Sequence, residues 1–135
     1  MSRLDLRAVA IGGAVAGGIA VVIALTLRLV SASSNLGFGV FALIMVGMAV
    51  GGYVAARPQP EVAFTAGAAA AFGGSLVAQV LSLLVQLARG ADLPGGYVFG
   101  ALFTLLISTS FGVIGGYVAL RRDRTQRPSP EEAPT

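Results

Sequence analysis

Residues 62–88 read VAFTAGAAAAFGGSLVAQVLSLLVQLA, 27 consecutive positions without a charge. At about 1.5 Å per residue, roughly 20 residues cross a hydrocarbon core of about 30 Å, so this stretch is long enough to span a membrane. No water reaches the backbone there, and its N–H and C=O groups must pair within the segment, which makes it a helix. The period-2 alternation of a membrane barrel strand is missing. Three further uncharged runs complete the pattern: Ala8–Leu27 with 20 residues, and Leu29–Ala56 and Leu93–Leu120 with 28 each. Hydrophobic residues make up 56% of the chain and charged residues 11%, with a mean hydropathy of +0.84. A soluble domain carries about a quarter charged residues, so this chain could not clothe a water-facing surface. The expected fold is all-α, a four-helix transmembrane bundle in the cell membrane.

The breaks between runs set the boundaries. Helices are expected over about 5–29, 36–56, 61–88 and 94–120, forming one transmembrane domain over 1–120. Residues 121–135 are charged and Pro-containing and read as a disordered cytoplasmic tail. Ser2-x-x-Asp5 has capping-box spacing at the first helix start, near Ser2 or Leu4. Ser31–Asn35 (SASSN) reads as a turn that caps the second helix, and Arg57–Glu61 (RPQPE) as a short stiff link. Pro60 and Glu61 suit the first turn of the third helix, and Pro94 the opening of the fourth. The first run also admits a signal-peptide reading with cleavage after Ala32, although its 20 residues exceed the usual apolar core of about 7–15.

With four spans, both termini and the middle link share a side. That side carries Arg3, Arg7, Arg57, Arg121, Arg122, Arg124 and Arg127, against Arg28 and Arg89 on the other. The positive-inside bias places the seven-Arg side in the cytoplasm. Net charge over 121–135 is small, four Arg against Asp123, Glu131 and Glu132, so the tail is not a nucleic-acid arm.

Residues 51–57 (GGYVAAR) recur as 115–121 (GGYVALR). The match lays the second helix on the fourth and suggests a tandem duplication of a two-helix hairpin, its copies related by an axis along the membrane normal. Convergence on residues favoured at a cytoplasmic helix end is the other reading. The motif suits that depth in either case. Its glycines allow close backbone approach, while Tyr53, Arg57, Tyr117 and Arg121 anchor the interface. Four spans, hairpins rich in small residues and these GG-aromatic-x-Ala-x-Arg endings together resemble small membrane proteins of bacteria and archaea classed as families of unknown function. The resemblance covers about residues 5–122 and implies a four-helix integral membrane protein. It carries over no activity, cofactor or site.

The chain has no cysteine and no histidine, which removes thiolate chemistry, histidine bases and most transition-metal ligation. No Asp or Glu falls within a span, whereas ion-driven carriers usually keep an ionisable group at the midplane. The four-span multidrug carriers of similar length depend on a Glu in the first helix, and this chain departs from that pattern. Asp5, Glu61 and Asp92 sit at expected helix starts, where capping accounts for them. No enzymatic activity, cofactor or metal is expected.

Small residues dominate, with 19 Gly and 23 Ala. The AGAAAA run at Ala66–Ala71 offers lipid little apolar area and should face other helices. On the third helix, Ser75, Gln79, Ser82 and Gln86 fall within a sector of roughly 60° at about 100° per residue. Tyr97, Thr104 and Ser108 share a face of the fourth. Polar groups facing lipid are costly, so both stripes should turn inward, either as interhelical hydrogen bonds or as a polar path. The leading expectation is a non-enzymatic protein of the bilayer that self-associates into a homo-oligomer or joins other membrane subunits. The alternative is a small pore, facilitator or holin-like protein using the polar face of the third helix.

Overall fold

Each of the four uncharged runs forms one long helix in the computed structural model, which describes residues 4–29, 36–90 and 95–126, with side-chain surroundings for all of these except 24–29 and 36–38. The helices are α1 (Leu6–Leu29), α2 (Leu36–Ala56), α3 (Ala63–Ala88) and α4 (Tyr97–Gln126), with a single 3-10 turn at Pro60–Val62. All four are long and apolar enough to cross a membrane. The SASSN turn, the cleavage position after Ala32, Ser2, Asp92, Pro94 and the segment 127–135 lie outside the described residues.

Local chemistry sets the ends. Asp5 is itself the N-cap of α1: its Oδ1 accepts the backbone N–H groups of Arg7 at 2.9 Å and Ala8 at 3.3 Å. Asp5 was expected to help cap a helix beginning near Ser2 or Leu4, and it caps one that begins at Leu6. A short acceptor placed just before the first turn satisfies two of the orphan N–H groups there, which is why the helix begins after it. At the α2–α3 link, the Val62 N–H bonds the Gln59 carbonyl at 3.1 Å, closing a tight turn before α3 starts at Ala63. α3 ends where Gly90 takes φ +65°, a left-handed conformation that glycine adopts without steric cost. α4 corrects the expected boundary at 120, because Arg121–Gln126 continue the helix. Arg and Gln are good helix formers. The Arg122 Nη1 also donates to the Tyr53 hydroxyl at 3.2 Å, and Thr125 Oγ1 donates to the Arg122 carbonyl at 2.8 Å.

In the bundle, α1 packs on α2 and α3, and α4 packs on the same two helices. α2 and α3 meet across the short diagonal, whereas α1 and α4 make at most marginal contact among the described residues. Alanine fills the interior: Ala16, Ala55, Ala56, Ala66 and Ala71 are wholly enclosed. Of the AGAAAA run expected to face other helices, Ala66, Gly67, Ala70 and Ala71 are buried, whereas Ala68 and Ala69 are half-buried. A Cβ built on Gly12 would stand 2.5 Å from the Gly51 carbonyl oxygen, so α1 and α2 touch backbone to backbone there. Gly112 occupies the corner where three helices converge, against Gly67 and Ala71 of α3 and Gly52 of α2. The large side chains point outward, among them Val98, Phe99, Leu102 and Leu106 on α4. A small-residue interior inside a bulky apolar exterior suits lipid as the surrounding medium.

Packing is uneven along the bundle. Buried positions on α3 end at Ser75, and those on α4 begin at Ser108. One half is therefore closed. It holds the start of α1, the α2–α3 link and the end of α4, tied together by Gln59 and by the Arg122–Tyr53 bond. In the other half the described residues of α3 and α4 are exposed or half-buried, and Gln79 still bridges the two helices.

The repeated motif occupies this closed half in both copies. Gly51 abuts Gly12 of α1 and Gly52 abuts Gly112 of α4, while Gly115 meets Ala49 of α2 and Gly116 meets Ala63 of α3. The two glycine pairs thus share a depth and a task but have different sets of neighbours.

Candidate functional site: an intramembrane cleft

Between α3 and the facing parts of α1 and α2, with Thr104 of α4 at one side, lies a cleft of about 470 Å³. One wall carries Ser75, Gln79, Ser82 and Thr104, and the facing wall Ala20, Val21, Ile44 and Met48. Leu81 and Val85 form an apolar rim open to the outside of the bundle, 48% and 40% exposed. None of the described residues lining the cleft is charged.

The face expected from helical spacing is therefore brought together in part. Ser75 is 3% exposed and lies at the inner end of the cleft, near the middle of α3. Gln79 bridges to α4: its Nε2 donates to the Ala101 carbonyl at 3.0 Å, and the Tyr97 hydroxyl reaches the Gln79 carbonyl at 3.4 Å. Ser82 stands near the mouth. Gln86 does not join the lining; its amide turns back toward the Ser82 carbonyl and hydroxyl, both at 3.4 Å. A long amide one turn from a hydroxyl on its own helix satisfies itself locally. Thr104 lines the cleft while donating to the Gly100 carbonyl at 2.8 Å. Ser108, one turn deeper on α4, is fully enclosed, and its Oγ has no hydrogen-bond partner among the described residues.

Beyond Ser75 and Ser108 the helices close. Gly67, Gly52 and Gly112 bring α3, α2 and α4 into backbone contact, which ends the cleft inside the bundle. Among the described residues the cleft is therefore closed at this end.

Of the expected interface anchors, Tyr53 is half-buried against Ala56, Ala63 and Ala119, and its hydroxyl accepts from Arg122. Tyr117 is 52% exposed and stacks on Phe64, with ring centroids 6.4 Å apart. Arg57 and Arg121 are exposed at the closed end.

Sequence reasoning missed Gln59, which it treated as part of a spacer. Gln59 is 9% exposed. Its Oε1 accepts the Asp5 N–H at 2.8 Å, and its Nε2 donates to the Ala55 carbonyl at 3.0 Å and toward the Asp5 carbonyl at 3.4 Å. This one side chain joins the cap of α1 to the end of α2 across 54 positions of sequence. The only hint was an amide flanked by two prolines in a link otherwise exposed to water.

A second concavity, about 500 Å³, lies on the outer surface between α1 and α3. Its floor is Gly13, Gly17 and Gly74, where the two helices touch, and its walls include Ala10, Ala14, Gly18, Ala69 and Gly73. A Cβ built on Gly18 or Gly73 would meet nothing within 4 Å.

Compared with protein-family models, with curated proteins and with solved structures, the chain gives no match.

Proposed function

We propose that this chain is a non-enzymatic, multi-pass protein of the cell membrane that works by assembly, as a homo-oligomer or as a subunit of a larger membrane complex. The observation that carries this reading is the outer α1–α3 groove. Gly18 and Gly73 on its walls open onto space, unlike Gly13 and Gly74 of its floor and unlike Gly12, Gly51, Gly67 and Gly112, which are consumed by contacts inside the bundle. Glycine costs a helix about 1 kcal/mol relative to alanine, so glycines facing outward at mid-membrane are best accounted for by a neighbour approaching from outside. Phe99 and Leu102 on the outer face of α4 are large, apolar and exposed, the kind of side chain a groove of small residues can receive. Both termini lie in the cytoplasm on the seven-to-two arginine bias. The repeated heptapeptides support an origin by hairpin duplication, with the packing neighbours of the copies since diverged.

The test is the mass of the purified full-length chain in mild detergent. The wild type should run as a multiple of its 13.6 kDa protomer or with a stoichiometric membrane partner, and Gly73→Leu, which fills the groove, should release the protomer. A wild-type chain that is monomeric and partnerless would refute the proposal. A pore through a single copy gains no support from a cleft closed at its inner end; a transmembrane path would have to run between copies.

A further inference from the structure

We infer that the cleft that α3 and Thr104 form with α1 and α2 is a binding site for an uncharged amphiphile, a lipid whose head carries hydroxyl groups and which enters sideways from the bilayer. The two walls differ in chemistry. Ser75, Gln79, Ser82 and Thr104 present hydroxyls and an amide on one side, and Ile44 and Met48 present hydrocarbon on the other. A wholly polar solute would leave the second wall against its own polar groups, and a pure hydrocarbon would leave the first wall unpaired at mid-membrane. An amphiphile satisfies both.

Charge narrows the class further. The described lining offers no counter-charge, so a phosphate, carboxylate or ammonium seated there would be desolvated without compensation. The volume of about 470 Å³ is in the range of small-molecule pockets, about 300–1,000 Å³. Geometry sets the pose. Ser75 lies near the middle of α3 at the inner end, so the head hydroxyls sit deep, beside Ser75 and Gln79. The chains leave past the exposed Leu81 and Val85 into lipid. Part of the Gln79 amide is committed to Ala101, which fixes the side chain and leaves its Oε1 to accept from the ligand.

The experiment uses the full chain in mild detergent with dioctanoylglycerol, dioctanoyl phosphatidate and free glycerol as probes, bound adducts being counted by native mass spectrometry. Dioctanoylglycerol should be retained with one adduct per chain. Phosphatidate should be retained at least tenfold more weakly, and glycerol not at all. Gln79→Leu should weaken dioctanoylglycerol about tenfold, as expected for losing one or two well-formed hydrogen bonds. Ser82→Phe fills the mouth at a position that does not tie helices together, so it serves as the second variant should Gln79→Leu fail to fold; it should abolish the adduct with circular dichroism and assembly mass unchanged. Equal retention of phosphatidate, retention of glycerol alone, no adduct with any probe, or adducts untouched by Ser82→Phe would each overturn the inference. Assembly mass is read in the same spectra, so failure of this site is distinguishable from failure of self-association.

Discussion

Gly112→Ala is the sharpest single perturbation of this fold. The added methyl group would overlap both the Gly67 carbonyl and the Ala71 side chain of α3. Ordinary carbon contacts begin near 3.5 Å, so α4 must retreat by about 1 Å from both neighbours. Overpacking of this kind costs about 1–3 kcal/mol, and contacts made by backbone, which has no flexible end to yield, belong at the upper limit. Alanine returns about 1 kcal/mol through helix propensity, which leaves a net loss of about 2 kcal/mol. Gly100→Ala is the matched control on the same helix, since a Cβ there meets nothing within 4 Å, and it should be neutral or slightly stabilising. Reversible unfolding in mixed micelles, followed by circular dichroism, gives both values. If Gly112→Ala and Gly100→Ala prove equal, the three-helix contact at Gly112 is not what holds the closed half together.

Two further expectations follow from polar groups. Gln59→Leu removes three hydrogen bonds around the start of α1 and leaves the Asp5 N–H without its acceptor, which should cost about 1–3 kcal/mol. Hydrogen exchange should quicken at Asp5 and across the first turn of α1 while α4 stays protected; uniform acceleration would show the bond to be global. Ser108→Ala deletes an enclosed hydroxyl that has no partner, so stability should stay level or rise by up to about 1 kcal/mol in the same micelle titration. A loss above that size would mean that the hydroxyl is engaged.

Most of the architecture was legible because lipid imposes it. Uncharged runs of 20–28 residues can only be helices there, and the observed ends fall within a few residues of the charges that bound them. α4 escaped the rule, since charge stops a hydrophobic run without stopping a helix: Arg121–Gln126 keep helical geometry beyond the apolar segment. The polar stripe was legible from angular spacing as far as Ser75, Gln79 and Ser82. Gln86 shares their angle, yet its amide is taken by Ser82 one turn back on the same helix, and no periodicity reports which partner an amide takes. Gln59 was invisible for a related reason, because its partner lies 54 residues away and nothing local marks the pair.

The near absence of contact between α1 and α4 bears on the order in which the chain can be assembled. Synthesis delivers α1, α2 and α3 first, and those three can complete their mutual contacts, Gln59 tie included, before α4 leaves the ribosome. Until it arrives, Gly52, Gly67 and Ala71 bare their backbone to lipid at the site that Gly112 will fill. The last helix then docks on a finished surface and displaces nothing.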